Sequence, residues 1–449
     1  MELVSVKIPV LLKKLGVMTP MPGMKEKIDA ALSNRELRLH EMFGAILDVH
    51  KPDITDMRNI REKYGQMRVE AKHEKDGIDL ICHNLPAGAL YDGKNVIWAS
   101  VEQITAVIRD VIFPPSTPGT GADTATASRF VRKFVEHAGF LYRGERGLVT
   151  FVWGGHRVPR DEYDFAKELS YWLTLAIPDI EIITGCGAGI MKAPFKGAQV
   201  AYVKQRSFER FGTRDFIGFT EKNILAAEPP NEMVNRFMVF PTIEQRMEAF
   251  IRGSHRGRAH PGGAGTLEEI LTVLAVVSAP ENRSLQYDFD MVERPAGRYF
   301  QTLDDYLKTC FGNELKDFYD VWRVTPREYA KHIGDTTRDM YLRYLWNDKL
   351  VFPRELQQPF KVDFDSIENL YLGRDQEPFR LLINLRQFFS ALVHVTVKDP
   401  DMVDSWRGER PLIKGDNDIL KATDELVQDF AAMGRLHLPP STPLPYRIK

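Results

Sequence analysis

From Gly147 onward the chain alternates short β-rich apolar runs with stretches of helical periodicity, which leaves few folds open to it. Leu148–Trp153 stops at Gly154-Gly155, and Ile180–Thr184 stops at Gly185. Asp215–Phe219 and Arg236–Phe240 read as further strands, with helices expected over about 161–175, over 242–253, and from Thr266 to about Val277. Strands interleaved with helices specify a parallel α/β sheet with helices on both faces. Ligands of such sheets sit beyond the carboxyl ends of the strands. The glycine-rich loops Gly154–Arg157, Gly185–Met191 and Pro261–Thr266 all fall at that edge.

On either side the pattern differs. Residues 24–110 read as helical with some strand, with apolar positions at helical spacing over Glu36–Leu47 and Val101–Ile112. Pro114-Pro115-Ser116-Thr117-Pro118-Gly119 breaks the chain, a helical stretch over about 124–141 follows, and Arg143–Gly147 marks a boundary. Past residue 338 the alternation is lost; helical segments near 376–396 and 417–433 precede a proline-rich tail, 439–445, expected to be extended. A length of 449 residues suits two to four domains. The expected division is an N-terminal α+β flank over 1–146, a nucleotide-binding core over 147–337 and a mainly helical C-terminal flank over 338–449.

The net charge of -2 supplies no global field toward nucleic acid or an anionic membrane, and no 18-residue apolar run is present. Cys82, Cys186 and Cys310 lie far apart, with neither a metal-binding nor a disulfide pattern, which fits a reducing compartment. The N-terminus is apolar only in short bursts without a following small-residue cleavage pattern, so no signal peptide is expected and a cytoplasmic location is.

Pro261-Gly262-Gly263-Ala264-Gly265-Thr266-Leu267-Glu268-Glu269 carries the most chemistry. Without a Cβ, glycines let backbone N–H groups approach an anion, and a helix starting near Thr266 adds its unpaired N–H groups and the positive end of its dipole. Thr266 and Glu269 also spell a capping box, in which Glu269 would merely satisfy a backbone N–H. Gly185-Cys186-Gly187-Ala188-Gly189 departs from the dinucleotide fingerprint because its third glycine arrives one residue early, and a tight strand-to-helix turn explains it as well. His156 is a candidate phosphate or base contact, although a lone loop histidine is more often solvated. Arg246, within Glu244–Glu248, reads on its own as a surface arginine.

Together these residues resemble the LONELY GUY family, once labelled lysine decarboxylase-like. Its hallmark, Pro-Gly-Gly-x-Gly-Thr-x-x-Glu preceded by a helical arginine, is matched by Pro261, Gly262, Gly263, Gly265, Thr266 and Glu269, with Arg246 at the family's distance. Thr184–Gly189, Ala226-Ala227-Glu228-Pro229-Pro230-Asn231 and the long flanks are similar to the large bacterial nucleotide 5'-monophosphate nucleosidases of that family. The resemblance implies a Rossmann-like core and cleavage of nucleoside 5'-monophosphates to free base and ribose 5-phosphate. It places Glu269 and Arg246 in catalysis. Gly154, Gly155, His156, Gly185, Gly187, Gly189, Met191, Gly262, Gly263, Gly265 and Thr266 are the expected substrate contacts. Glu268 points about 100° from Glu269 on an ideal helix. No cofactor or metal is expected, and no lysine motif supports pyridoxal phosphate chemistry. The resemblance further implies a homo-oligomer, a tetramer, and a guanosine alarmone as effector, with Arg343 as one candidate contact, and the C-terminal segment is a candidate lid over the site. No nucleic-acid or membrane partner is expected.

Two segments depart from the family pattern. His255-Arg256-Gly257-Arg258-Ala259-His260 stands where an apolar buried strand belongs, so it is expected to be reshaped or unpaired, or to lend its charges to the phosphate site. Residues 284–292 are more polar than the strand expected after the motif helix. Two other functions fit the motif: a cytokinin-type phosphoribohydrolase, against which the long flanks count, and a nucleotide sensor without catalysis, which the basic segment favours.

Overall fold

The computed structural model describes residues 3–11, 23–48, 56–74, 77–86, 96–112, 121–140, 147–177, 179–205, 215–337, 346–438 and 443–448. The Pro114–Gly119 break, most of the Arg143–Gly147 boundary, Arg343 and part of the proline-rich tail lie outside them.

The chain opens with β1 (Leu3–Leu11), α1 (Met24–Ser33), α2 (Leu39–Leu47), α3 (Met57–Tyr64), β2 (Arg68–His73), β3 (Gly77–Pro86), α4 (Trp98–Ile112) and α5 (Thr124–His137). The strands form an antiparallel sheet in the order β1–β3–β2. Ile8, Val10 and Leu80 of this sheet share one apolar cluster with Phe43 and Ile46 of α2 and Ile104 and Val107 of α4. That cluster continues into Ile182, Phe195 and Val239 of the following segment.

The central segment runs β4 (Val149–Trp153), α6 (Arg160–Ala176), β5 (Glu181–Thr184), α7 (Ala193–Lys204), β6 (Phe216–Glu221), β7 (Arg236–Phe240), α8 (Ile243–Arg252), β8 (Arg256–Ala259), α9 (Ala264–Ser278), β9 (Asp288–Glu293), α10 (Tyr299–Phe311), β10 (Asp320–Arg323) and α11 (Pro326–Thr336). Its seven strands are parallel, in the order β10–β9–β8–β4–β5–β6–β7. From β4 the chain first builds outward to β7, then returns to the other side of β4 with β8. The strand order therefore reverses between β4 and β8, and an open α/β sheet binds ligands in the crevice at such a point. The loops leaving these two strands are Gly154–Arg157 and His260–Gly263, stitched together by Gly155 N–H donating to the Pro261 carbonyl at 3.0 Å and His260 N–H to Trp153 at 2.8 Å.

The basic segment corrects one expectation. Arg256–Ala259 is a regular inner strand, buried at every position and paired with both β4 and β9. The physical reason lies on the neighbouring off-pattern strand. The Arg256 guanidinium grips Asp290 of β9 through two nitrogens, Nη2 at 2.8 Å from Oδ1, and Trp322 Nε1 and the Tyr329 hydroxyl donate to the same carboxylate. Arg258 Nη2 lies 3.3 Å from the Ser170 hydroxyl of α6. Strand alternation puts both arginines on one face, and neither lines the cleft described below. Arg256 of one departing segment is thus neutralised by Asp290 of the other.

The remainder comprises α12 (Phe364–Glu368), β11 (Tyr371–Leu372), α13 (Pro378–Val393), one π-helical turn over His394–Lys398, α14 (Asp401–Ser405), β12 (Leu412–Gly415), α15 (Asn417–Ala432) and β13 (Arg447–Ile448). It is mainly helical, with a small parallel sheet in the order β11–β12–β13. α13 and α9 pack together, and Leu267, Leu271 and Leu274 of α9 belong to the same apolar cluster as Leu381, Leu385 and Phe389 of α13.

Candidate active site

α9 begins at Ala264, two residues before the expected start, with Gly263 as its N-cap and no side-chain capping bond. Thr266 is thus the third residue inside the helix and cannot cap it, which removes the capping-box alternative for Thr266 and Glu269. The first-turn N–H groups point out of the helix end beside β4, without a side chain in the capping role, as an anion site requires.

Glu269 lies further along this helix and receives Arg246 Nη2 of α8 at 3.1 Å on Oε1. The arginine is itself anchored, donating from Nε to the Phe219 carbonyl of β6 at 3.0 Å. Burial pushes the Glu269 carboxyl up to about 8, against the pull of Arg246 and with help from the carboxylates of Glu268, Glu228 and Glu221. Glu268 turns away toward α13, 3.4 Å from Arg386, which also binds Glu244 at 2.9 Å. Burial raises the Glu268 carboxyl despite the opposing Arg386 and Lys398. Glu221, at the carboxyl end of β6, pairs with Lys398 from the π-helical turn.

His156 faces Glu228 at 2.7 Å. The imidazole occupies the space that a Cβ on Gly187 would need, so the glycine loop is shaped around the histidine. Burial raises the Glu228 carboxyl, but His156, Arg246 and Lys398 outweigh that and leave it below its usual value. Asn231 holds the loop from beneath, its Nδ2 donating to the carbonyls of Cys186 at 2.8 Å and Gly187 at 2.9 Å.

A single cleft collects most of the expected residues: Gly154, Gly155, His156, Met191, Arg246, Gly263, Gly265, Thr266 and Glu269 are on its wall. Gly185, Gly187, Gly189 and Gly262 are not; they lie directly behind it, packed against Arg246, His156 and Thr266. The opposite wall comes from the C-terminal segment, expected as a candidate lid, but its residues Val393, Val397, Lys398, Arg435, Leu436 and His437 were not singled out, and Glu221 was given no role. A glutamate closing an apolar strand at the ligand-binding edge was an available signal for Glu221. The C-terminal residues carry none, because they arrive from more than a hundred positions away. Among the described residues no group of three or more His, Cys, Asp or Glu side chains is suited to a metal ion, and no helix is long and apolar enough to cross a membrane.

The chain is 30% identical over 426 residues to the pyrimidine/purine nucleotide 5'-monophosphate nucleosidase of Escherichia coli strain K12, covering 91% of this chain and 92% of that one. The proteins of the same description from strains O6:H1 and O157:H7 match equally. The chain belongs to the pyrimidine/purine nucleotide 5'-monophosphate nucleosidase family. Residues 25–117 match the family described as pyrimidine/purine nucleotide 5'-monophosphate nucleosidases, and residues 330–449 match the description "pyrimidine/purine nucleotide monophosphate nucleosidase, C-terminal". Residues 191–320 match "possible lysine decarboxylase", a span that holds Arg246 and Pro261–Glu269. For a nucleosidase, the composite cleft is informative: the C-terminal match supplies the wall facing the glycine loops.

Proposed function

We propose that this chain hydrolyses the N-glycosidic bond of purine and pyrimidine nucleoside 5'-monophosphates, giving the free base and ribose 5-phosphate. The observation that carries this is Glu269, held by Arg246 within the same cleft as the uncapped start of α9. The phosphate sits at Gly263, Gly265 and Thr266, with Gly262 shaping the turn, and Gly154, Gly155, His156 and Met191 face the ribose and base. Gly185, Gly187 and Gly189 act from behind, by admitting Arg246 and His156. As the C1'–N bond breaks, positive charge develops at C1'. The Glu269 carboxylate stabilises that charge and takes a proton from the attacking water, whose oxygen bonds to C1' as the C1'–N bond breaks; that proton ends on the departing base, which restores the carboxylate. Arg246 favours the ionised carboxylate against the burial that opposes it.

The same reading includes a cytoplasmic enzyme whose flanks, 1–146 and 338–449, regulate a core at 147–337, assembled as a homotetramer and answering to a guanosine alarmone. These rest on the family resemblance.

Incubation with AMP, GMP, CMP and UMP, followed by assay of ribose 5-phosphate, tests the reaction. Release from all four is expected. Release from modified adenosine monophosphates alone favours the cytokinin-type activity, and binding without release favours a sensor. Glu269→Ala is expected to abolish release while retaining nucleotide binding; unchanged turnover would remove Glu269 from the mechanism.

A further inference from the structure

Arg435 follows the C-terminal end of α15 and is seated on the phosphate loop. Its carbonyl occupies the space that a Cβ on Gly263 would need, so only a glycine at the N-cap of α9 admits it. Its side chain is 4% exposed, yet it is incompletely used. Nη2 donates to Glu162 of α6 at 2.7 Å, Nη1 stands 3.4 Å from the Gly262 carbonyl, and the guanidinium lies over the Tyr299 ring at 5.1 Å from its centroid. Nε is buried with no hydrogen-bond partner, and so is Oε2 of Glu162.

A buried guanidinium with an idle donor is expensive unless something completes it. The residue lines the cleft together with Gly263, Gly265 and Thr266, the residues whose N–H groups open the helix. We propose that Arg435 is a substrate-contacting residue that binds the phosphomonoester together with the α9 N-terminus. Helix N–H groups supply partial charges, whereas a dianion is matched better when a guanidinium fork adds a full one. A neutral nucleoside offers either group only a hydroxyl oxygen and no charge. The C-terminal segment thereby becomes a reader of the 5'-phosphate, and Glu162 is the carboxylate that holds its other side.

The inference rests on the hydrolytic reading for its substrate, but it is testable without turnover. Calorimetric binding of ribose 5-phosphate and of inorganic phosphate is measured with the full chain, with Arg435→Met and with Glu162→Gln. Loss of a charge-assisted bond is expected to weaken ribose 5-phosphate binding by Arg435→Met on the order of 10- to 100-fold. The preference for AMP over adenosine in kcat/KM is expected to fall in parallel. Glu162→Gln, which frees the guanidinium, is expected to bind ribose 5-phosphate as tightly as the unaltered protein or more tightly. If Arg435 is only a strut to Glu162, both variants weaken alike, and that result overturns the proposal, as does unchanged affinity in Arg435→Met. Should Arg435→Met not fold, Glu162→Gln decides by itself, since weakened binding there contradicts the role. Failure of the unaltered protein to release ribose 5-phosphate from any nucleotide counts against hydrolysis alone, because the binding comparison stands apart from it.

Discussion

Glu269 and Glu268 are adjacent, of one type, and differ in what surrounds them. Glu269 faces Arg246 across the cleft, and Glu268 is turned into the α9–α13 contact beside Arg386. A carboxyl raised to about 8 is largely protonated at neutral pH. If the carboxylate is the working form, kcat/KM for AMP rises with pH and levels off above about 8, and a rate profile from pH 6 to 9.5 reads it directly. The same shift has a thermodynamic side. The folded value stands above the ordinary 4.5, so the stability that Glu269 contributes is complete at acid pH and is lost as pH rises through about 8. Glu269→Gln should therefore flatten the decline in melting temperature between pH 5 and pH 8; an unaltered slope would show that burial does not hold the proton there.

At the scale of elements, β8 shows how a strand with two arginines becomes the middle of a parallel sheet. Arg256 and Arg258 share one face, and Asp290 of β9 lies on the same side, with Trp322 and Tyr329 closing over it. Apolar patterning would have been simpler to recognise, but the Asp290 carboxylate, which accepts from Arg256, Trp322 and Tyr329, is satisfied in its buried place. Removing one member is costly. Arg256→Met leaves a fully buried Asp290 without its cation and is expected to destabilise the fold by about 3–5 kcal/mol in denaturant unfolding. Changing Asp290→Asn in the same chain should recover part of that loss, because no unpaired charge remains. The helix start at α9 is a second case. Thr266 and Glu269 have capping-box spacing, yet Gly262 and Gly263 let the helix begin earlier, and spacing alone could not choose between the two.

Across the whole molecule, the central sheet does not stand alone. α9 is apolar nearly all round because one side meets the sheet and another meets α13. The N-terminal cluster likewise runs into β5, α7 and β7. A fragment limited to residues 147–337 is therefore expected to expose the α13-facing side of α9 and to aggregate or bind a hydrophobic dye, where the full chain does not. The two flanks also meet each other. Arg58 and Arg61 of α3 pair with Asp401 and Asp404 of α14, each at 2.7 Å, and His437 stands 3.5 Å from Asp56. The Arg–Asp pairs are exposed and add little stability individually, but they connect the N-terminal flank to the segment that walls the cleft.

Sequence alone was enough for the parallel core, its strand ends and a glycine-rich turn leading into a helix, while Arg246 was placed beside Glu269 by the family resemblance. Those features are local: period, glycine placement and a contiguous motif fall within a few turns of one another, and backbone chemistry translates them directly into structure. Only the tertiary structure decided that β8 is an inner strand, that α9 begins at Ala264, and that Lys398, Arg435 and Leu436 form the far wall of the site. Each depends on partners distant in the chain: Asp290 for Arg256, the Gly263 surface for Arg435, and Glu221 for Lys398. A charge far along a sequence does not announce which buried opposite charge will neutralise it until packing brings the two together.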